Sequence, residues 1–367
     1  MRRAAVAIFA AALVSCTGQG SASTSPAVSP LVQSQAADLR THLDLLLGEQ
    51  VMIVAKESAA AVNHSDQYAP YTTLLSTNSA DVSSILGRAF GNTSAAQFEQ
   101  TWKIQNGYLV DYAIGVVTHN DAQANGAMSG LTNGFVPPFV QLVSTISSLP
   151  ADQVKRLAAQ QIAADKAFID DVFAGSYAAY YSHLHAAYAQ TSQLGDALAT
   201  QIALKFPDKF PGDAFSQAVE TRVSLNSLLE EHSYVATMAT DATIAGRTAE
   251  SSAAAAALAA NETALAAVFA QAIGAAAGPR FTEIWTVRDS SLLGYAAGHS
   301  QGKPVLTGKF VDDFVSLSHA DRRAVTAQVA ATIKVIDDQR SKSSRTVADD
   351  DRAAATSMEP IADSIQG

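Results

Sequence analysis

The side chains best able to do chemistry in this chain are a few histidines, carboxylates and amides set into otherwise apolar helix faces. Glu231 and His232 are adjacent. Followed at alternating spacings of three and four, His232 falls in the stripe Leu225, Leu228, His232, Val235, and Gln50 falls in Leu39, Leu43, Leu46, Gln50, Ile53. Asn78 and Asn261 interrupt two further stripes, between Leu75 and Val82 and between Leu258 and Leu265. A polar group buried in such a seam must find a hydrogen-bond partner or cost roughly 1–3 kcal/mol. Two uses fit. Gln50, Asn78, His232 and Asn261 can cross-link neighbouring helices and fix their register. Alternatively, together with Glu49, Glu231, Asp289 and His185, they can line a pocket for a small molecule or a metal. The cross-linking role is the simpler expectation, and it makes His232→Gln nearly neutral, because Gln50 is the chain's own occupant of the matching slot.

A carboxylate–histidine metal centre in a helical bundle asks for a Glu-x-x-His spacing, which the sequence lacks. Glu231 and His232 point about 100° apart on a helix, and His183 and His185 lie on opposed faces. The five methionines are scattered, which argues against a copper site. There is no Gly-x-Ser-x-Gly, no phosphate loop and no dinucleotide fingerprint. No metal and no other cofactor is therefore expected, and a metal-binding or redox bundle stands as the alternative. Tyr177, Tyr180, Tyr181 and Tyr188 have the spacing of core packing along one helix.

These side chains must be carried by helices. Alanine and other helix formers dominate, and Val-Thr-Tyr alternation is scarce. Turns are expected at Asn63-His64-Ser65-Asp66, at Gly91-Asn92-Thr93-Ser94, at His119-Asn120-Asp121, before the helix that follows Pro150, and near Gly175-Ser176. Each resulting hairpin has one apolar face and must close against others as an all-α bundle. The run Asp349-Asp350-Asp351 reads as a solvated turn between the last two helices, and no stretch beyond the leader reads as a transmembrane helix.

The chain also resembles itself. Leu39 to Gln50 aligns with Thr221 to His232 at a shift of 182. Asn78, Gly91, Phe98, Trp102 and Tyr112 recur as Asn261, Gly274, Phe281, Trp285 and Tyr295 at a shift of 183. After a shortening, Phe135-Val136-Pro137-Pro138-Phe139-Val140 is echoed by Phe310-Val311-Asp312-Asp313-Phe314-Val315, and Ile169-Asp170-Asp171 by Ile336-Asp337-Asp338. A tandem duplication of about six helices per unit is the expectation. Unit one spans 34–206 and unit two 214–367, joined by a linker over 207–213 whose Pro207, Pro211 and Gly212 stop a helix.

The first residues carry an address. Met1-Arg2-Arg3 precedes an uncharged run from Ala4 to Val14, too short to span a bilayer as a helix, then Ser15 and Cys16. Leu13-Val14-Ser15-Cys16 resembles the lipobox of bacterial lipoproteins. That resemblance implies a signal peptide over 1–15, a diacylglyceryl thioether on Cys16, acylation such as palmitate at the new amino terminus, and a lipid anchor on the extracytoplasmic side of a cell membrane. Cys16 is the sole cysteine, and 16–33 is rich in Ser, Gly, Thr and Pro, as suits a flexible tether. The rest is similar to secreted bacterial proteins built from repeated helical hairpins, which carry Glu-His near the end of the first helix; Glu231-His232 keeps that pair and Glu49-Gln50 departs from it. The 24 basic and 34 acidic residues give a net charge of -10, and loss of Arg2 and Arg3 with the leader makes it -12. No basic stripe suited to nucleic acid is visible. The expected role is a cell-envelope protein, binding or structural, whose partners are the membrane and either an envelope protein or a small ligand.

Overall fold

The computed structural model describes residues 33–365, and within them the chain is all-α. The leader, Cys16 and nearly all of the tether lie outside the described residues. The opening hairpin pairs α1 (Gln35–Val62) with α2 (Tyr68–Phe90), and α3 (Asn92–Val117) follows directly. Next comes one long interrupted helix: α4 (Asp121–Ser129), a π-helical segment over Gly130–Phe135, and α5 (Val136–Ser147). A second hairpin, α6 (Ala151–Phe173) and α7 (Tyr177–Lys205), completes this half. The other half runs through α8 (Gln217–Ile244), α9 (Thr248–Ile273) and α10 (Ala277–Ala296). A short α11 (Gly302–Val305) leads through a π segment over Leu306–Phe310 into α12 (Val311–Ser318), followed by α13 (Arg322–Ser341), α14 (Ser344–Thr356) and α15 (Glu359–Ser364).

Turn chemistry explains the breaks. Only one residue separates α2 from α3, so the reversal falls on Gly91 at φ 88; Gly274 makes the same move between α9 and the residues before α10 at φ 109. A side chain at such φ would be strained. Ser34, Asn120 and Ser216 cap α1, α4 and α8 through their side-chain oxygens. The cluster Asn92-Thr93-Ser94 does not cap α3: the helix already starts at Asn92 and has no side-chain cap.

The two π segments occupy matching places and lead into matching aromatic packing. Trp102 lies against Phe98, Phe135 and Phe139, and Trp285 against Phe281, Phe310 and Phe314. At the centre of the molecule α1 packs on α8, with α7 and α2 also on α1. One apolar core runs from Leu39 to Ile365 and draws on helices of both halves. The halves therefore share one core.

Two expectations are corrected. Asp349–Asp351 is part of α14, not a solvated turn, and Asp351 is fully buried. The helix α9 is long and apolar enough to cross a membrane by length and composition. In the fold it lies against α8, α10 and α7, with Leu258, Leu265 and Phe269 buried together with Glu250 and Asn261.

Candidate functional site

The seam residues are hydrogen-bonded mainly to one another. In the second half, His232 is fully enclosed. Its Nδ1 faces Asn261 Oδ1 at 3.0 Å, and its Nε2 lies 2.9 Å from Trp285 Nε1 and 3.1 Å from Asp289 Oδ1. Indole nitrogen only donates, so Nε2 can accept from Trp285 while Nδ1 donates to Asn261 Oδ1. Asn261 Nδ2 donates onward to the Leu228 carbonyl and to Glu231 Oε2 at 3.0 Å. Glu231 Oε1 meets His185 Nδ1 from α7 at 2.7 Å, a contact that raises the His185 pKa above its ordinary value. Burial alone would raise the Asp289 carboxyl, but His232 and Arg288 beside it hold it below its usual range. Thus Asn261, Asp289, Glu231, His232 and His185 form one chain from core to surface.

The first half repeats the plan with substitutions. Asn78 Nδ2 donates to the Leu46 carbonyl and to Glu49 Oε2, each at 2.8 Å. Gln50 Nε2 donates to Asn106 Oδ1 at 2.8 Å. Glu49 Oε1 accepts from Tyr234 and from Arg352 Nε at 2.8 Å. Burial raises the Glu49 carboxyl despite these partners. Each half's seam glutamate is thus gripped by an asparagine of its own half and by a basic side chain from the other: Arg352 on α14 for Glu49, His185 on α7 for Glu231. Sequence reasoning missed Arg352, Lys56, Glu230 and Trp285 as partners, since each lies far along the chain from what it touches.

Two openings border this network. A cleft of about 580 Å³ lies where α1 and α8 end, walled also by α13 and α14. Its floor is Lys56, whose Nζ meets Asp351 Oδ2 at 2.5 Å and Thr237 Oγ1 at 2.8 Å. Tyr71 and Thr237 donate to the same carboxylate, and Gln339 bridges Thr237 and Thr240. Asp241, Arg247 and Lys342 stand nearer the mouth, with Arg247 paired to Asp241 and Glu250. A second pocket of about 300 Å³ lies between α1, α2, α8 and α14.

Among the described residues no three His, Cys, Asp or Glu side chains converge as metal ligands. No family model matches the chain, and no curated protein or solved structure matches it significantly.

Proposed function

We propose that this chain is a lipid-anchored protein of the cell envelope, held by lipid on Cys16 at the outer face of a membrane, and that it binds a small polar ligand. The observation that supports binding best is the 580 Å³ cleft, whose floor is polar, buried and immobilised by helices from both halves. A ligand there meets fixed donors and acceptors rather than mobile side chains, which lowers the ordering cost of binding. Both signs of charge occur around it, so a small solute carrying both donors and acceptors suits it better than an apolar one. The seam histidine and its neighbours support a scaffold role, because their ring and amide atoms already serve one another below the surface.

The address is tested by labelling cells with radioactive palmitate. Wild type should take up label and sediment with membranes, and Cys16→Ala should do neither. Label-free wild type would overturn the anchor. Binding is tested by thermal shift with amino acids, dicarboxylates, sugars and nucleosides. At least one class should raise the Tm of wild type and leave Ala245→Trp, which fills the cleft, unmoved. No shift by any class would overturn the assignment.

A further inference from the structure

The 300 Å³ pocket between α1, α2, α8 and α14 is lined by apolar side chains, including Leu45, Ile85 and Ala355, and by the acids Glu49, Asp81, Glu230 and Glu359. The carboxylates are not equivalent. Arg352 serves Glu49 and Asp81, and His42 pairs with Glu359 at 2.8 Å. Glu230 is the exception: it is only 4% exposed, makes no ion pair among the described residues, and has as its partner the hydroxyl of Tyr188 at 2.6 Å. Burial, and then Glu49 nearby, push its pKa well above the ordinary range. Asn226, also lining the pocket and 1% exposed, has no partner for its Oδ1 among the described residues. A carboxyl group that burial keeps from ionising and a buried carbonyl oxygen without a donor would both be served by the same thing, a positively charged hydrogen-bond donor that favours the ionised form of the acid.

The opposite side of the α1–α8 pair shows how the space arises. By the register that aligns Ile169-Asp170-Asp171 with Ile336-Asp337-Asp338, Tyr188 matches Ala355, and by the register that aligns Leu39–Gln50 with Thr221–His232, Gly48 matches Glu230. On one side the Tyr188 ring lies so close to Gly48 that a Cβ there would meet it at 2.5 Å. On the other side an alanine stands where the ring would be and a glutamate where the glycine would be. The ring's absence leaves the cavity, and the glutamate gives it a charge to match.

We propose that this pocket is a second binding site, specific for an organic cation: a primary amine on a compact apolar body, its ammonium against Glu230 and Asn226 and its body along Leu45, Ile85 and Ala355. The proposal is independent of the cleft at the ends of α1 and α8. The test is calorimetric titration of the full chain in detergent, corrected with micelles alone, using phenethylamine, 2-phenylethanol and 3-phenylpropanoate. Phenethylamine should bind saturably at one site, and the alcohol and the acid at least tenfold more weakly. Ala355→Tyr, which installs the ring found on the other side, should abolish binding, and Glu230→Gln should weaken it at least tenfold. Equal binding of amine and alcohol, or amine binding that survives Ala355→Tyr, would overturn the proposal. Should Ala355→Tyr not fold, an unchanged affinity in Glu230→Gln overturns it instead.

Discussion

Gln50 stands between α1, α2 and α3 where His232 stands between α8, α9 and α10, and the two slots differ atom by atom. The histidine ring satisfies Asn261 Oδ1 and Trp285 Nε1 together. Glutamine reaches Asn106, but among the described residues Asn78 Oδ1, Trp102 Nε1 and its own Oε1 are left without partners. The first half therefore displays what His232→Gln would leave behind. That variant should fold and lose roughly 1–3 kcal/mol, the usual cost of stranding buried polar groups, so the near-neutral outcome expected from sequence does not hold once the indole is seen. Gln50→His should do the reverse and gain about 1 kcal/mol. Chemical denaturation of both variants checks the pair, and a destabilised Gln50→His would refute the reading. Asp165 gives the clearest pH effect. It is fully enclosed, its one partner is Gln161, and burial pushes its pKa from 3.8 to about 7. The folded state then holds this proton more tightly than the unfolded state, so stability is greatest at low pH and falls as pH rises from about 4 through 7. A shift of this size corresponds to about 4 kcal/mol. Denaturation at pH 5 and pH 8 should show wild type more stable at pH 5, with much of the difference absent in Asp165→Asn. His42 and His185, both raised by a carboxylate partner, act in the same direction because their contribution is lost as pH rises through the folded value.

Helix contacts are decided where one backbone meets another element's ring. Gly48 on α1 accepts the face of Tyr188 from α7, and that ring is pinned in turn by Glu230 on α8. Gly48→Ala has no room unless α7 moves, so it should cost roughly 1–3 kcal/mol as overpacking, whereas Gly107→Ala, with open space around it, should not destabilise. Thermal melts of the two variants make the comparison, and equal Tm values would mean α7 is free to slide. Much at this scale was legible beforehand. The breaks at Asn63–Asp66, Gly91, His119–Asp121, Pro150 and Gly175 fall where glycine, proline and capping residues put them, since turn chemistry is local. What stayed hidden depends on neighbours distant in sequence. The central helix α1 buries Asp44, Glu49, Gln50 and Lys56 along with its leucines, because helices cover it on several sides, and a one-face stripe describes it poorly. Asp351 looked like solvent-facing charge for the same reason: nothing near it in sequence announces Lys56. The interruptions at Gln50, Asn78, His232 and Asn261 were readable as polar seams, with Asp289 and Glu231 grouped beside them, but not Trp285 or Arg352 as what they would meet.

At the scale of the whole molecule, several ion pairs with buried partners run between the halves. Arg40 on α1 forks onto Glu220 of α8 at 2.7 and 3.0 Å, and Arg222 on α8 returns to Asp38 of α1 at 2.6 Å while gripping Asp363 near the carboxyl end. Lys56 of α1 and Asp351 of α14 are both buried, and Glu49 of α1 takes Arg352 of α14. Separating the halves would strand Lys56 without its carboxylate and Glu49 without its guanidinium, each a charge left in a poorly solvated place. It would also expose the face of α1 that α8 covers. Residues 34–206 expressed alone should therefore be helical by circular dichroism yet melt without cooperativity, and residues 214–367 should behave alike. Mixing or co-expressing the two should restore a single cooperative transition, because the contacts that close the core are formed between them. The double variant Lys56→Met with Asp351→Leu separates packing from charge. If the halves need each other chiefly for apolar burial, this variant should stay within about 1 kcal/mol of wild type or exceed it, whereas Asp351→Leu alone, leaving the ammonium buried and unpaired, should lose several kcal/mol. A unit 34–206 that melts cooperatively by itself would refute the shared core and return the boundary at Pro207–Pro211 to the status of a domain border.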